Sequence, residues 1–416
     1  MSKSIIYKFN IFYLFVIIVW PAIRSNFLFF DGAGRIEIVF SFFALIVNFR
    51  SFFKIPKVIF FWLIWIIYCV MSIRYKGFGF VEYPYHLWLP HKLLMPFIAM
   101  VVVYSSALYK YDDMIKKLFV YMLIYAIIGT AVMSLNANAL KMDYGDNSIS
   151  NEYLNTMIIL FPISVLANKT KLINSVVLFF ISLIVLYGII LSGERKALAG
   201  LFIMIIGFFL SKHTSFRPKS VLAFVFLMLM VYISADYVID NTLAGSRLTE
   251  DYSNSDYQNN LFLKLVGNRA LMYVEGFEFF LLNPITGLGL TNFIAYSVMS
   301  RHILHSEYMV QLAECGLIGF SLFLVFYGGM LFRLIAMFIK KIDRSTTLIF
   351  LSSLLAILVI GFTAWIYDCL LYFVFYGLLF AYCERNGLTK KVIKDKRRKV
   401  IIPGSIQNVR SKHKIS

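Results

Sequence analysis

Long apolar runs dominate this chain and restrict it to a bundle of membrane-crossing helices. Stretches such as IFYLFVIIVW (11–20) and STTLIFLSSLLAILVIGFTAW (345–365) approach the roughly 20 residues a helix needs to cross a hydrocarbon core about 30 Å thick. Only 15% of the 416 residues are charged, against about a quarter in a soluble domain. The apolar excess is gathered into blocks, which predict twelve spans near 5–23, 36–49, 56–73, 88–108, 118–135, 153–167, 172–191, 197–211, 219–236, 305–332, 345–364 and 366–382. No ten-residue alternating pattern is present, which excludes a membrane β-barrel. Lys3 and Lys8 precede the first run without a small-residue cleavage site, so the first span is expected to be retained.

Net charge of +18 could suggest nucleic acid, but its distribution argues for topology. When the N-terminus and every second loop are assigned to one side, that side holds 28 of the 40 Lys and Arg and only 5 of the 22 acids. By the positive-inside rule this side is cytoplasmic, and both termini lie there. The basic stretch KKVIKDKRRK (390–399) then reads as a topology anchor against anionic lipid. Cys69, Cys315, Cys369 and Cys383 lie in or beside apolar runs with neither metal-ligand spacing nor a disulfide framework, and read as packing residues.

No internal repeat of the kind that builds many transporters is visible. The loops are unequal instead: the predicted external segment 237–304 is far longer than any cytoplasmic loop. Its first part, GSRLTEDYSNSDYQNN (245–260), is polar. Its second part, 261–284, places Phe262, Leu265, Met272, Tyr273, Phe277 and Phe280 at helical spacings. This predicts one amphipathic helix on the membrane surface or capping the bundle. Asn283-Pro284 ends it, and Gly287-Leu288-Gly289-Leu290 makes a turn. A smaller external loop, 136–152, is acidic.

Three external places combine charge with apolar flanks. Arg195 and Lys196 form the tip of LSGERKALAGL (191–201), where arginine either snorkels to lipid phosphate or pairs two oxygens of a bound anion through its planar fork. Arg269 is either a solvated arginine or a second anion ligand. In LHSEYMVQLAECGLIGF (304–320), Glu307, Gln311 and Glu314 fall at i, i+4 and i+7, one polar stripe on a helix entering the bilayer. Carboxylates there are costly and face the bundle interior. His305, just above, is either a helix-mouth surface residue or a group that exchanges protons near neutral pH. His302, His305 and Glu307 lack a second ligand cluster except His86 and His91, so no metal site is expected. No phosphate loop, dinucleotide fingerprint or nucleophile elbow is present.

The order of these elements resembles the O-antigen ligase/polymerase superfamily, which includes O-antigen ligases and Wzy-type polymerases. The resemblance covers roughly 175–335. There the family has a Ser-Arg-Gly-like turn, an Arg before Asn-Pro-x-x-Gly-x-Gly, and His-Asn before a Gly-x-x-Gly helix. Here the turn reads Gly193-Glu194-Arg195-Lys196, the loop NPITGLG (283–289), and His305 is followed by Ser306, then Gly316 and Gly319.

The resemblance implies an all-α, GT-C-like glycosyltransferase of the bacterial inner membrane, with its active site facing the periplasm. It divides the chain into N-terminal spans (1–174), a ligase/polymerase core (175–335) containing the periplasmic loop 237–304, C-terminal spans (336–383) and a basic cytoplasmic tail (384–416). The implied donor is a glycan on undecaprenyl diphosphate. The acceptor is another glycan or lipid A-core, and membrane lipids and other polysaccharide-assembly proteins are the further partners. No cofactor, metal or nucleic acid is needed. Arg195 and Arg269 would hold the diphosphate and stabilise its growing negative charge. His305, with Glu307 as second candidate, would take the acceptor proton. Polymerases are the more numerous and divergent group, which favours polymerase over ligase. A polysaccharide transporter or flippase is the rival from another class, and it would need ionisable residues along a through-path.

Overall fold

The computed structural model describes residues 2–23, 35–75, 90–135, 157–192, 195–212, 269–297, 304–367 and 369–400, and every regular element among them is helical. The helices are α1 (Lys3–Ile23), α2 (Arg35–Val47), the single turn α3 (Phe49–Phe52), α4 (Lys57–Tyr75), α5 (Met95–Tyr109) and α6 (Tyr111–Leu135). After these come α7 (Leu160–Lys169), α8 (Ser175–Ser192), α9 (Arg195–Lys212), α10 (Arg269–Leu282), the turn α11 (Phe293–Tyr296), α12 (Glu307–Ala313), α13 (Gly316–Ile339), α14 (Arg344–Ile360) and α15 (Leu370–Val400).

Among the described residues, four apolar stretches are long enough to cross a membrane: Lys3–Ile23, Lys92–Tyr109, Tyr111–Ala131 and Gly316–Ile339. Five shorter apolar helical stretches, including Ser175–Ile189, Lys196–Ser211 and Arg344–Ile360, accompany them. Among the described residues the chain is all-helical, with the apolar helices of a membrane protein. The predicted span 219–236, most of the loop 237–304 and the acidic loop up to residue 156 lie outside the described residues.

The part of α15 from Leu371 to Cys383 is buried on every side, as its all-round apolarity requires, and it packs along α5. Aromatic side chains fill the space between α4, α13 and α15. Trp62 stacks on Trp65 at 4.3 Å and meets Phe326 and Phe373. Around α1, a buried polar cluster sets the register of three helices, with Asn10 and Asn48 exchanging amide hydrogen bonds and Asn10 also donating to Ser106. α9 and α14 run side by side: a methyl added at Gly200 would meet Ile360, and one at Gly207 would meet Ser352. The residue pairs run in opposite senses, so the helices are antiparallel.

One predicted span is interrupted. The stretch 305–332 was expected as a single helix, but α12 ends at Ala313 and α13 begins at Gly316. Gly316 has φ +61°, a conformation that costs a side-chain-bearing residue dearly and glycine little. The break gives the chain a notch, and the 283–292 loop occupies it.

Candidate active site

The loop is held in the notch by backbone hydrogen bonds. Leu288 N–H donates to Ala313 O, Gly289 N–H to Glu314 O, and Leu317 N–H to Pro284 O, at 3.0, 2.7 and 2.8 Å. Gly287 (φ +67°) and Gly316 lie back to back: a Cβ on Gly287 would sit 2.4 Å from the Glu314 carbonyl, and one on Gly316 would sit 2.5 Å from Gly287 N. Glu314 closes the loop from the other side. Its carboxylate accepts the N–H of Thr291 at 2.6 Å and of Phe293 at 3.0 Å. Hydrogen bonds to a charged acceptor contribute about 1.5–3 kcal/mol each. Tyr68 of α4 donates to Thr286 O and Cys315 O, so loop, notch and α4 form one unit. Glu314 was expected in an inward-facing stripe. It turns to the loop instead, because the helix ends before it.

The other half of the stripe holds together. Gln311 Nε2 donates to Glu307 Oε1 at 2.8 Å, the i, i+4 contact expected on one helix face. Trp65 Nε1 donates to Gln311 Oε1 at 2.8 Å. Glu307 and Gln311 are both fully buried. Glu307 Oε2 accepts the N–H groups of Ile366 and Tyr367 at 2.7 and 3.1 Å.

His305 is half-buried, in the extended segment 304–306 at the mouth of α12. Ser306 is the N-cap of α12, its hydroxyl accepting from Met309 N. On the near side of His305, Trp365 Nε1 donates to Leu304 O. On the far side, Glu307 N–H donates to Gly361 O at 2.9 Å. The segment between α14 and α15, Gly361–Tyr367, therefore backs the His305 segment throughout. Beside it, Tyr308 Oη donates to Leu358 O in the last turn of α14 at 2.7 Å, and Tyr273 Oη donates to Phe362 O within the segment at 2.9 Å.

Arg195 and Arg269 are each the first residue of a helix, α9 and α10, and their side chains lie outside the described residues. The helices they begin reach the end of α14 and the residues after it. Arg195 precedes Gly200, which touches Ile360, by five residues or roughly 8 Å of helix rise. Arg269 lies about one turn before Tyr273, which bonds to Phe362. Gly276, further along α10, faces Leu304 and Met309. The helices begun by Arg195 and Arg269 and the 304–307 stretch thus each touch the chain between Ile360 and Tyr367. Sequence reading missed that segment. Its signal was the Trp365 and Tyr367 aromatics between two apolar runs with almost no loop, a pattern typical of a membrane interface.

Residues 180–324 match the family model described as O-antigen ligase. This match supports the resemblance of that region to the O-antigen ligase/polymerase superfamily. The match covers about a third of the chain and lies within the 175–335 expected from the motifs. No curated protein matches the chain. The matched region includes Arg195, Arg269, His305, Glu307 and Glu314, but ends before the Gly361–Tyr367 segment.

α10 shows two faces in this matched region. Met272, Glu275 and Gly276 are buried towards α12, whereas Val274, Phe277, Leu281 and Leu282 are exposed. The helix packs against α12 and leaves an apolar outer face. Its predicted beginning at 261–268 lies outside the described residues. Glu275 accepts from Ser297 Oγ at 2.7 Å. Among the described residues no group of three His, Cys, Asp or Glu could hold a metal; His86, His302 and the His91 side chain lie outside them. Cys69, Cys315 and Cys383 are buried in the packing and Cys369 partly so. A cavity of about 330 Å³ lined by Phe42, Phe49, Phe60 and Phe97 holds none of the candidate residues.

Proposed function

We propose that this protein is a membrane glycosyltransferase that polymerises undecaprenyl-diphosphate-linked oligosaccharide repeat units of O-antigen or capsule on the external face of the inner membrane. The observation that supports the reading is that α9 and α10, begun by Arg195 and Arg269, and the stretch 304–307 around His305 all contact the chain between Ile360 and Tyr367, with residues 180–324 matching the O-antigen ligase family model.

In this reading Arg195 and Arg269 grip the donor's diphosphate. The bond between the sugar's anomeric carbon and the phosphate oxygen breaks, undecaprenyl diphosphate leaves, and the arginines offset its growing negative charge. His305 takes the proton of the acceptor hydroxyl, whose oxygen forms the new glycosidic bond. His305 is favoured over Glu307 because both Glu307 oxygens already accept hydrogen bonds in a fully buried place. The family description, O-antigen ligase, supports transfer to lipid A-core as the second reading. Both readings place the termini in the cytoplasm and the site in the periplasm, from the 28-to-12 split of basic residues.

Glycan transfer by purified protein from a lipid-linked donor tests the assignment. His305→Ala should lower turnover by about 10²–10⁴-fold with donor binding retained, and His302→Ala should be mild. Normal transfer by His305→Ala would refute it. The glycan of a deletion strain separates the acceptors: single-repeat lipopolysaccharide indicates a polymerase, and loss of surface glycan with long lipid-linked chains indicates a ligase.

A further inference from the structure

Glu307 is a charged side chain with no exposure, two residues from His305, and its hydrogen bonds have fixed directions. The Trp65 indole can only donate, so the Gln311 oxygen faces it. That turns the Gln311 amide nitrogen onto Glu307 Oε1. The other oxygen meets two main-chain N–H groups, of Ile366 and Tyr367, which also can only donate. These three partners are all donors, which suits a carboxylate that accepts through both oxygens. Glu307 is therefore ill-suited to receive a proton from substrate and well suited to act as a strut.

The strut has a direction. Glu307 binds Gly361 O through its own N–H and the Ile366 and Tyr367 N–H groups through its side chain. Leu304 O is fixed by Trp365. The residues on both sides of His305 are therefore tied to one segment, leaving the His305 backbone little freedom to shift.

We propose that Glu307 is a positioning residue which, through Gly361–Tyr367, fixes the place of His305, and that this segment beyond the matched family domain completes the transfer site. The proposal rests on His305 being the base.

The test uses full-length purified protein as wild type, Glu307→Gln, His305→Ala, their double variant, and Trp365→Phe. Glutamine keeps the size of the side chain but aims an N–H₂ at a donor. Glu307→Gln should lower kcat by about 10- to 100-fold, the scale of an ångström's misplacement, with donor KM unchanged. Trp365→Phe, which leaves the carboxylate intact, should shift kcat in the same direction by less. The double variant should be no slower than His305→Ala, because Glu307 acts only through the imidazole. A double variant slower than His305→Ala by the full Glu307→Gln factor would overturn the proposal, as would normal kcat in Glu307→Gln.

A second readout needs no turnover: carbethoxylation of His305 by diethyl pyrocarbonate, followed by peptide mass spectrometry with His302 as reference. Glu307→Gln should speed His305 modification several-fold, and an unchanged rate overturns the strut. If wild type transfers nothing from the lipid-linked donor, the enzymatic reading fails, while this comparison still decides whether Glu307 holds His305 in place.

Discussion

Replacing Gly287 by alanine probes the loop-in-notch unit most directly. The added Cβ would lie 2.4 Å from both C and O of Glu314, against van der Waals separations near 3.5–4 Å. These are main-chain atoms, so no side-chain rotation relieves the clash. The residue also sits at φ +67°, which costs an L-residue about 1–2 kcal/mol. Overpacking typically costs about 1–3 kcal/mol, giving a total of about 2–5 kcal/mol. Gly316→Ala meets the facing wall, with its Cβ 2.5 Å from Gly287 N and Ile285 O at φ +61°, and should cost as much. Gly328 is the control: it lies on the same helix as Gly316, and a Cβ there meets nothing within 4 Å. Thermal unfolding of detergent-purified protein, followed by fluorescence of its five tryptophans, should show midpoints lowered by several degrees for Gly287→Ala and Gly316→Ala, but not for Gly328→Ala. The double variant should lose less than the sum, since both glycines serve one contact. If Gly287→Ala melts with the wild type, the loop is not seated in the notch and the reasoning fails.

Arg195→Lys should lose most transfer although charge is kept, because lysine lacks the bidentate fork; full activity in Arg195→Ala would return the turn to lipid snorkelling. A topology reporter fused at residue 255 should report the periplasm, and a cytoplasmic signal would overturn the orientation of the site. The Asp343 carboxyl is pushed up by burial, but hydrogen bonds from Lys169 and Thr346 and the Lys169 charge outweigh this and hold it below the ordinary carboxylate value. A carboxyl lowered in the folded state stabilises above its unfolded pKa and loses that contribution as pH falls through the folded one. Wild type should therefore out-melt Asp343→Asn near neutrality and converge with it in acid. A gap that is unchanged by acid would show that the Lys169–Asp343 contact contributes through packing.

The apolar runs by themselves determined an all-helical membrane protein, because a backbone in hydrocarbon must satisfy its hydrogen bonds internally. Short motifs with their order placed the region that matches the O-antigen ligase family model, and i, i+4 spacing anticipated the Glu307–Gln311 bond. Helical periodicity also anticipated α10, since a helix with one apolar face announces itself locally. Tertiary structure alone decided what each polar group serves. Glu314 reads as a stripe member until the break at Gly316 turns it to Thr291 and Phe293. Glu307 reads as the second candidate base after His305, and nothing in the sequence shows that Ile366 and Tyr367, some sixty residues away, bond its second oxygen. Gly361–Tyr367 carries no charge and no recognisable motif, and only its aromatics Trp365 and Tyr367 mark it locally. Its role arises from the antiparallel register of α9 with α14 and from carbonyls left open at the end of α14, which the chain satisfies with groups distant in sequence.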